Sequence, residues 1–280
     1  FRFSLVHAIY RGTKRDWSTF RRFTYFVSPY LTNKTFLQRM DAGNFSSLKK
    51  IKDSFSVEVV TDKFFKEFRK IFDRTRKEFE VANKNSVCLW LKSKYSDEEY
   101  KEQINKFTFT FLGRIIFLYF LLRKGWVEDK IDFIRKKVED DSIHNLYQNV
   151  FEPIFFQVFA KQEKDRPDNI RQQFKNTPYL NGGLFEHSDL EIELEKEGKF
   201  IIFRDEFLRD IILNYFEIYN FTVDENSPND QEVSIDPEML GKVFENTLAE
   251  EERRKKGTFY TPREVVHFMV KDSIRQFFLN

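Results

Sequence analysis

Cysteine, glycine and proline are all scarce in this sequence of 280 residues. The single cysteine, Cys88, cannot form a disulfide framework or a thiolate metal site, which fits a reducing compartment, so we expect a cytoplasmic protein. Nine glycines and seven prolines are too few for a sandwich of many short strands and turns. The composition therefore favours a mainly α-helical fold.

Motifs of several enzyme classes are also missing. The sequence has no Gly-x-Gly-x-x-Gly, no phosphate-binding loop with Gly-Lys-Ser and no nucleophile elbow. The four histidines, His7, His144, His187 and His267, lie far apart and none has a metal-ligand partner at helical spacing, so we interpret them as structural. We predict no metal site and no catalytic residue in this chain.

Only one stretch is apolar over a long run. Residues 107–122 (FTFTFLGRIIFLYFLL) are shorter than the ~20 residues that a transmembrane helix needs, and Arg114 lies in their middle. We predict a buried central helix here and no membrane partner. The start, Phe-Arg-Phe-Ser, has no signal-peptide character and no initiator methionine, so we expect a piece of a longer protein.

Charge is unevenly distributed, although the net charge is only +2. Residues 1–80 contain 18 Lys or Arg and 9 Asp or Glu, whereas the remaining residues contain 29 and 36. From Leu48 to Phe79 apolar residues recur at helical spacing, and the opposite faces are basic. Such a face is either solvated surface or a set of contacts to a nucleic-acid backbone. The candidate DNA-binding residues are Lys49, Lys50, Lys52, Arg69, Lys70 and Arg74.

Local patterns predict the first strands and the main helix. Residues 3–10 and 21–27 are rich in β-branched and aromatic residues, so we predict a hairpin with a long loop that packs on helices or extends a larger sheet. Residues 96–99 (SDEE) are a typical helix start, and Gly125 can end that helix. Pro153 is predicted to kink or break a later helix.

A second, small hairpin is predicted over residues 190–203, because apolar residues alternate on both sides of Glu197-Gly198. Glu197 and Lys199, with Asp189 upstream, also contain half of a metal-dependent nuclease motif. A divergent metal nuclease is therefore one hypothesis. We prefer a charged hairpin tip, since Asp189 is too close in sequence and the flanks are not apolar strands.

Composition divides the chain into four segments. Residues 1–34 are predicted as a strand pair, residues 35–223 as a helical domain, residues 224–234 as a polar linker and residues 235–280 as further helices. The predicted fold class is thus mainly α, with a short N-terminal β-hairpin and a small hairpin near residues 190–203.

The most specific local chemistry lies in residues 253–266 (RRKKGTFYTPREVV). Thr261 suits a helix N-cap, Pro262 the first helical position and Glu264 the third position of a capping box. The free amides and the dipole at such a helix start favour a carboxylate or a phosphate. We therefore predict that the last helix of the chain begins at an anion-binding segment.

Residues 253–266 resemble the entry to the methyltransferase domain of bacterial type IIG restriction-modification enzymes and related adenine-specific DNA methyltransferases. Further stretches that are similar to this family are residues 240–245 (LGKVFE), 178–186 (PYLNGGLFE), 112–126 (LGRIIFLYFLLRKGW), 21–26 (RRFTYF) and 55–65 (FSVEVVTDKFF). The resemblance covers nearly the whole chain, and the Gly-x-x-Tyr-Thr-Pro motif at residues 257–262 is fairly specific.

The resemblance implies the transfer of a methyl group from S-adenosylmethionine (SAM) to the exocyclic amine of an adenine flipped out of duplex DNA. It implies a SAM pocket formed by Gly257, Thr258, Phe259, Tyr260, Thr261 and Pro262. The glycine-rich SAM loop and the Asn-Pro-Pro-Tyr/Phe tetrapeptide, which normally follow in this family, are not in this sequence.

By the resemblance, the chain is a helical connector that is inactive alone and binds no SAM by itself. Its partners are then double-stranded DNA and the methyltransferase domain of the same polypeptide, with or without a fused nuclease domain. A helical protein-interaction scaffold without a nucleic-acid role is the alternative. The two differ in DNA binding, because affinity from phosphate contacts falls steeply with salt.

Overall fold

The computed structural model describes residues 1–6, 9–11, 14–16, 22–41, 43, 46–180, 182–222, 230–232, 234–235 and 263–279. The chain forms two compact units, residues 1–235 and residues 236–280. The four segments predicted from composition stay a prediction.

Helices dominate the described residues, which confirms the mainly α prediction. The α-helices of the first unit are α1 (Lys34–Asp41), α2 (Leu48–Ser54), α3 (Val57–Ala82), α4 (Val87–Lys94), α5 (Asp97–Arg123), α6 (Phe133–Glu139), α7 (Asp168–Gln173), α8 (Asp189–Lys196) and α9 (Asp205–Asn214). Two π-helical segments are Tyr147–Phe151 and Pro153–Phe159, and 3-10 turns lie at Glu163–Asp165, Gly183–Phe185 and Phe216–Ile218. The second unit contains α10 (Arg263–Leu279).

The predicted N-terminal hairpin is confirmed, since β1 (Arg2–Val6) pairs antiparallel with β4 (Arg22–Phe26). A second antiparallel pair, β2 (Ile9–Arg11) and β3 (Lys14–Asp16), lies between them in sequence. Strand β5 (Asp230–Glu232), within the predicted linker, adds in parallel to the other edge of β4. Backbone groups at a sheet edge need hydrogen-bond partners, so even a polar segment can add there.

Helix α5 is the centre of the first unit's core. Ser96 caps it in the predicted capping box with Glu99, and Gly125 follows its end with a φ of +73°. Among the described helices, α5 alone is long and apolar enough to cross a membrane, but 72% of its most apolar stretch is buried inside the protein. This burial is that of a core helix, as predicted.

Aromatic side chains join α5 to its neighbours. The rings of Phe111 and Phe203 stack with centroids 4.8 Å apart, and Tyr147 meets Phe203 edge-on at 5.2 Å. Phe79 of α3 lies 5.0 Å from Phe107 of α5. These ring contacts connect α3, α5 and the segment before α9. Aromatic pairs of this kind stabilise a fold by more than the burial of their surface alone.

The hairpin predicted over residues 190–203 is wrong, because its first half is helix α8. Ser188 caps this helix in a capping box. Leu190 and Leu194, one turn apart, are buried, whereas Ile192 is 39% exposed. The helical spacing and the cap therefore outweigh the alternation that predicted a strand.

The segment after α8 has the predicted alternation but pairs with none of the strands that the structure describes. Ile201 and Phe203 are buried, whereas Phe200 and Ile202 are exposed. The side-chain amide of Asn83 donates to the carbonyl of Ile202 and accepts from its N–H, each at 2.9 Å. The asparagine that follows α3 thus satisfies backbone groups that a neighbouring strand would otherwise satisfy.

Pro153 does not end the helical conformation, because the residues on both sides of it form π-helical turns, in which each N–H bonds to the carbonyl five residues earlier. The N–H of Glu152 bonds to the carbonyl of Tyr147, and that of Ala160 to the carbonyl of Phe155 at 3.2 Å, both at a spacing of five residues. Because π-helical turns are rare and occur frequently at functional sites, these segments are a candidate position for a functional site.

Candidate functional site

The predicted DNA-binding residues Lys49, Lys50 and Lys52 lie on the short helix α2. Ser47 caps this helix by accepting the amide of Lys50 at 3.3 Å. Lys49 and Lys50 are exposed and Lys52 is half-buried. Three ammonium groups on one short helix concentrate positive charge, which attracts a polyanion.

A row of basic residues continues along α3. Arg69 and Lys70 are exposed, one turn from Lys66, and Lys77 lies two turns beyond Lys70. At 1.5 Å per residue, Lys66 and Lys77 are about 17 Å apart along the axis, a length that holds about five phosphates of one DNA strand. We define the basic surface as seven basic side chains of α2 and α3, all exposed except the half-buried Lys52: Lys49, Lys50, Lys52, Lys66, Arg69, Lys70 and Lys77.

Arg74, also predicted to bind DNA, forms an ion pair within the chain. Its guanidinium pairs with the carboxylate of Asp210 on α9 and lies 5.9 Å from the ring centroid of Phe207. The contact holds α3 to α9, and it lowers the pKa of Asp210 through the hydrogen bond from Arg74. Arg74 therefore has a structural partner that competes with phosphate.

The predicted SAM pocket, residues 257–262, lies outside the described residues, as does the predicted N-cap Thr261. The helix predicted to follow is confirmed, since α10 begins at Arg263. Its side chains from Val265 onward are exposed where described, including Phe268 and Phe277.

A buried arginine holds the PYLNGGLFE stretch in place. Arg114 of α5 has no exposed surface and donates hydrogen bonds to the carbonyls of Leu184 (2.8 Å) and Glu186 (2.7 Å). Its guanidinium also donates to both carboxylate oxygens of Glu191, at 2.7 and 2.9 Å. One side chain thus fixes this loop and α8 to the central helix.

Glu191 is as fully engaged as Arg114. One of its carboxylate oxygens accepts from the N–H and the hydroxyl of Ser188, each at 2.8 Å. Burial by itself raises the pKa of the Glu191 carboxyl, but the hydrogen bonds and charge of Arg114 outweigh it and hold that pKa below its usual range. An arginine within an apolar run indicates a buried cation that needs a carboxylate partner. The partner could not be identified from the sequence, because Glu191 is 77 residues away from Arg114.

Neither steric crowding nor a positive φ requires glycine at the two glycine positions of this loop. Gly182 and Gly183 are exposed, and a Cβ at either position would meet nothing within 4 Å. Neither has a positive φ. Bare backbone at the surface allows another molecule to approach closely, which is what the glycine pair offers here.

A cavity of about 300 Å³ lies between the π-helical segments and α8. Glu152 and Phe156 line one side, and His187, Glu195 and Lys199 line the other. The imidazole of His187 stacks on the ring of Phe156 at 3.9 Å. Burial and then the negative charge of Glu191 raise the pKa of Glu152 to about 7. Sequence reasoning missed this site, because its residues are far apart in sequence.

No group of three or more His, Cys, Asp or Glu side chains placed to hold a metal ion occurs in the part of the chain that the structure describes. Asp189 and Glu197, considered with Lys199 as a nuclease site, lie at the two ends of α8, about 12 Å apart along its axis. That separation disfavours a shared metal ion.

Comparison with known proteins gives one family and two relatives. The family model described as a domain of unknown function (DUF7814) matches residues 69–212. A Methanocaldococcus jannaschii protein named as a type II restriction enzyme and methyltransferase is 31% identical over 238 residues, which is 78% of this chain and 19% of that protein. DNA methyltransferase A of Bacillus subtilis is 24% identical over 181 residues, 61% of this chain and 17% of that protein. No solved structure matches significantly.

The chain therefore spans about a fifth of the length of these two relatives. The matched residues 69–212 include the second half of the α3 basic row, the whole of α5, the Arg114–Glu191 pair and most of α9. Since this match covers half of the sequence, the chain belongs to the DUF7814 family.

Proposed function

We propose that this chain is the helical connector of a restriction-modification DNA methyltransferase and that it positions DNA for the attached catalytic domains. The observation that carries the proposal is the similarity over 238 residues to a protein named as both a restriction enzyme and a methyltransferase. A region that makes up about a fifth of such a protein, and that lacks the motifs of catalysis, fits a connecting role.

The basic surface is the proposed DNA contact. Its side chains lie on two consecutive helices and carry the positive charge that binds phosphate groups. They include no apolar or aromatic groups that would contact the bases. Contacts of this kind position a duplex without reading its sequence. The connector is therefore expected to bind DNA without sequence preference.

Replacing Lys49, Lys50 and Lys52 together by glutamine tests this contact. If all three contact phosphates, the slope of log affinity against log salt should become shallower by about 2.7, because each lost contact removes about 0.9. Affinity for a 20-base-pair duplex at low salt should fall by roughly 10- to 100-fold. Fluorescence anisotropy between 50 and 200 mM salt measures both quantities.

The matched control removes three exposed lysines outside the basic surface, Lys101, Lys164 and Lys175. It has the same net charge as the test variant, so general electrostatic attraction changes equally in both. An equal loss of affinity in the two variants would contradict a located contact. Absence of salt-dependent DNA binding in the unaltered chain would favour the protein-interaction scaffold instead.

We further propose that the whole protein uses SAM to methylate adenine in a bacterial cytoplasm, with residues 257–262 against the methionine end of the cofactor. Support comes from the resemblance of that motif and from the methyltransferase names of the relatives. Calorimetric titration with SAM should give weak or undetectable binding to this chain, and tight binding to the same protein extended by a further domain of ~200 residues. Tight SAM binding by the 280-residue chain itself would contradict this assignment.

A further inference from the structure

The cavity between the π-helical segments and α8 combines an apolar wall with a few polar groups, as binding pockets do. Its apolar lining includes Phe156, Leu194 and Phe200. Its volume of about 300 Å³ lies at the lower end of the range for ligand pockets, which suits a single side chain or a small molecule.

Two glutamates line this cavity, and they differ in whether their carboxylate is paired with a cation. The carboxylate of Glu191 is neutralised by Arg114 at 2.7 Å. Glu152 lies on the facing π-helical path, and among the residues that the structure describes no hydrogen bond or ion pair reaches its carboxylate. A half-buried carboxylate without a cation is costly, and its cost is relieved when a cation binds.

We propose that this cavity binds the guanidinium group of an arginine side chain from a protein partner, with Glu152 as its carboxylate partner. The same region already binds one guanidinium in this manner. Arg114 forms two hydrogen bonds with Glu191 while its guanidinium carbon lies 4.8 Å from the ring centroid of Phe156. Glu152 offers a second carboxylate in this lining, and the exposed ring of Phe200 is the aromatic group available to a second guanidinium, since His187 and Arg114 already contact the ring of Phe156.

Guanidinium fits these groups better than ammonium or phosphate does. A planar guanidinium bonds a carboxylate through two parallel N–H groups and stacks on an aromatic face, whereas ammonium is a strongly hydrated point charge. The formal charges of the two other charged lining residues, Glu195 and Lys199, sum to zero, and Glu191 is paired with Arg114, which leaves the charge of Glu152 unbalanced. A phosphate would meet that charge with repulsion, so DNA is not the expected ligand.

The test is an NMR titration of the full chain with N-acetyl-L-arginine amide, which represents an arginine side chain within a protein. The citrulline analogue, which has the same shape but no charge, is the ligand control. At pH 8 we expect the arginine probe to bind about tenfold more tightly than the citrulline probe and to lose that advantage in Glu152→Gln. Glu197→Gln, an exposed glutamate beyond the cavity lining, should leave binding unchanged.

The pH dependence gives an independent readout. Since the pKa of Glu152 is about 7, the arginine affinity should fall about tenfold from pH 8 to pH 6 as the carboxyl takes up its proton. Tyr147, His187, Glu191, Glu195 and Lys199 also line the cavity, so the dependence due to Glu152 is the difference between the unaltered chain and Glu152→Gln.

Three results would overturn the proposal. They are equal binding of the arginine and citrulline probes, unchanged binding in a Glu152→Gln protein whose melting temperature is normal, and binding of free arginine without binding of the capped probe. The last result would assign the cavity to a small molecule rather than to a protein partner. None of these results depends on DNA binding by the basic surface, so the proposed function and this site are tested separately.

Discussion

Replacing Arg114 by methionine should lower the free energy of unfolding by about 3–5 kcal/mol, because it leaves the Glu191 carboxylate buried without its cation. The side chain of Glu191 is 5% exposed, so water cannot take the place of the guanidinium. The carbonyls of Leu184 and Glu186 lose their donors at the same time. Urea denaturation followed by circular dichroism measures the loss.

The control is Arg76→Met, which removes an arginine from the exposed pair with Asp73 at 3.5 Å. Exposed pairs of this kind are worth less than about 1 kcal/mol, so this variant should be nearly as stable as the unaltered chain. Similar losses of unfolding free energy in the two variants would show that the burial of Arg114 does not determine how much its ion pair stabilises the fold.

Acid should reduce the difference between the unaltered chain and Arg114→Met. The pKa of Glu191 is depressed in the folded chain, so the stability it contributes is present above the ordinary glutamate pKa of about 4.3 and is lost as pH falls through the folded value. In Arg114→Met burial raises the pKa of Glu191 instead, so the contribution of this group to the unfolding free energy should increase as pH falls, opposite to the unaltered chain. Measurements from pH 3 to pH 7 follow the difference.

Replacing Phe203 by alanine should also cost about 3–5 kcal/mol of unfolding free energy. The ring is 2% exposed and contacts the rings of Phe107, Phe111 and Tyr147. Its removal leaves a cavity where α5 and the first π-helical segment meet, and close-packed neighbours can fill it only in part. The midpoint of chemical denaturation should fall without a change in its slope.

Phe200→Ala is the matched control for Phe203→Ala. It makes the same substitution three residues earlier in the same extended segment, where the side chain is 67% exposed. Its effect on stability should stay within about 0.5 kcal/mol. Equal effects of the two substitutions would contradict the alternating burial of this segment.

Both stability predictions concern the rigidity that a connector needs under the proposed function. Helices α3 and α5 contain 26 and 27 residues, so each is about 40 Å long. Arg114 and Phe203 hold α8 and the segment before α9 against α5. Loss of either contact should loosen the surfaces that the long helices carry before it unfolds the chain.

Local sequence signals were sufficient wherever a structure depends on neighbouring residues. The capping box at residues 96–99, the positive φ of Gly125, the start of α10 and the pairing of β1 with β4 were all predictable, although residues 9–10 of the first predicted strand pair with β3 instead. In each case the decisive interaction spans a few residues or one hairpin. Apolar content alone likewise predicted that α5 would be buried.

The sequence by itself determined the helical class, the central helix and the basic character of α2 and α3. Only the tertiary structure decided that Asn83 takes the place of a strand beside Ile202 and that Arg114 pairs with Glu191. The helix at residues 189–196, by contrast, depends on the local capping box of Ser188 and Glu191, a signal that the sequence contains. The cavity beside Glu152 was also decided at this level. The physical reason is distance along the chain, since burial, pairing and pKa depend on partners 40 to 120 residues away, which no local pattern specifies.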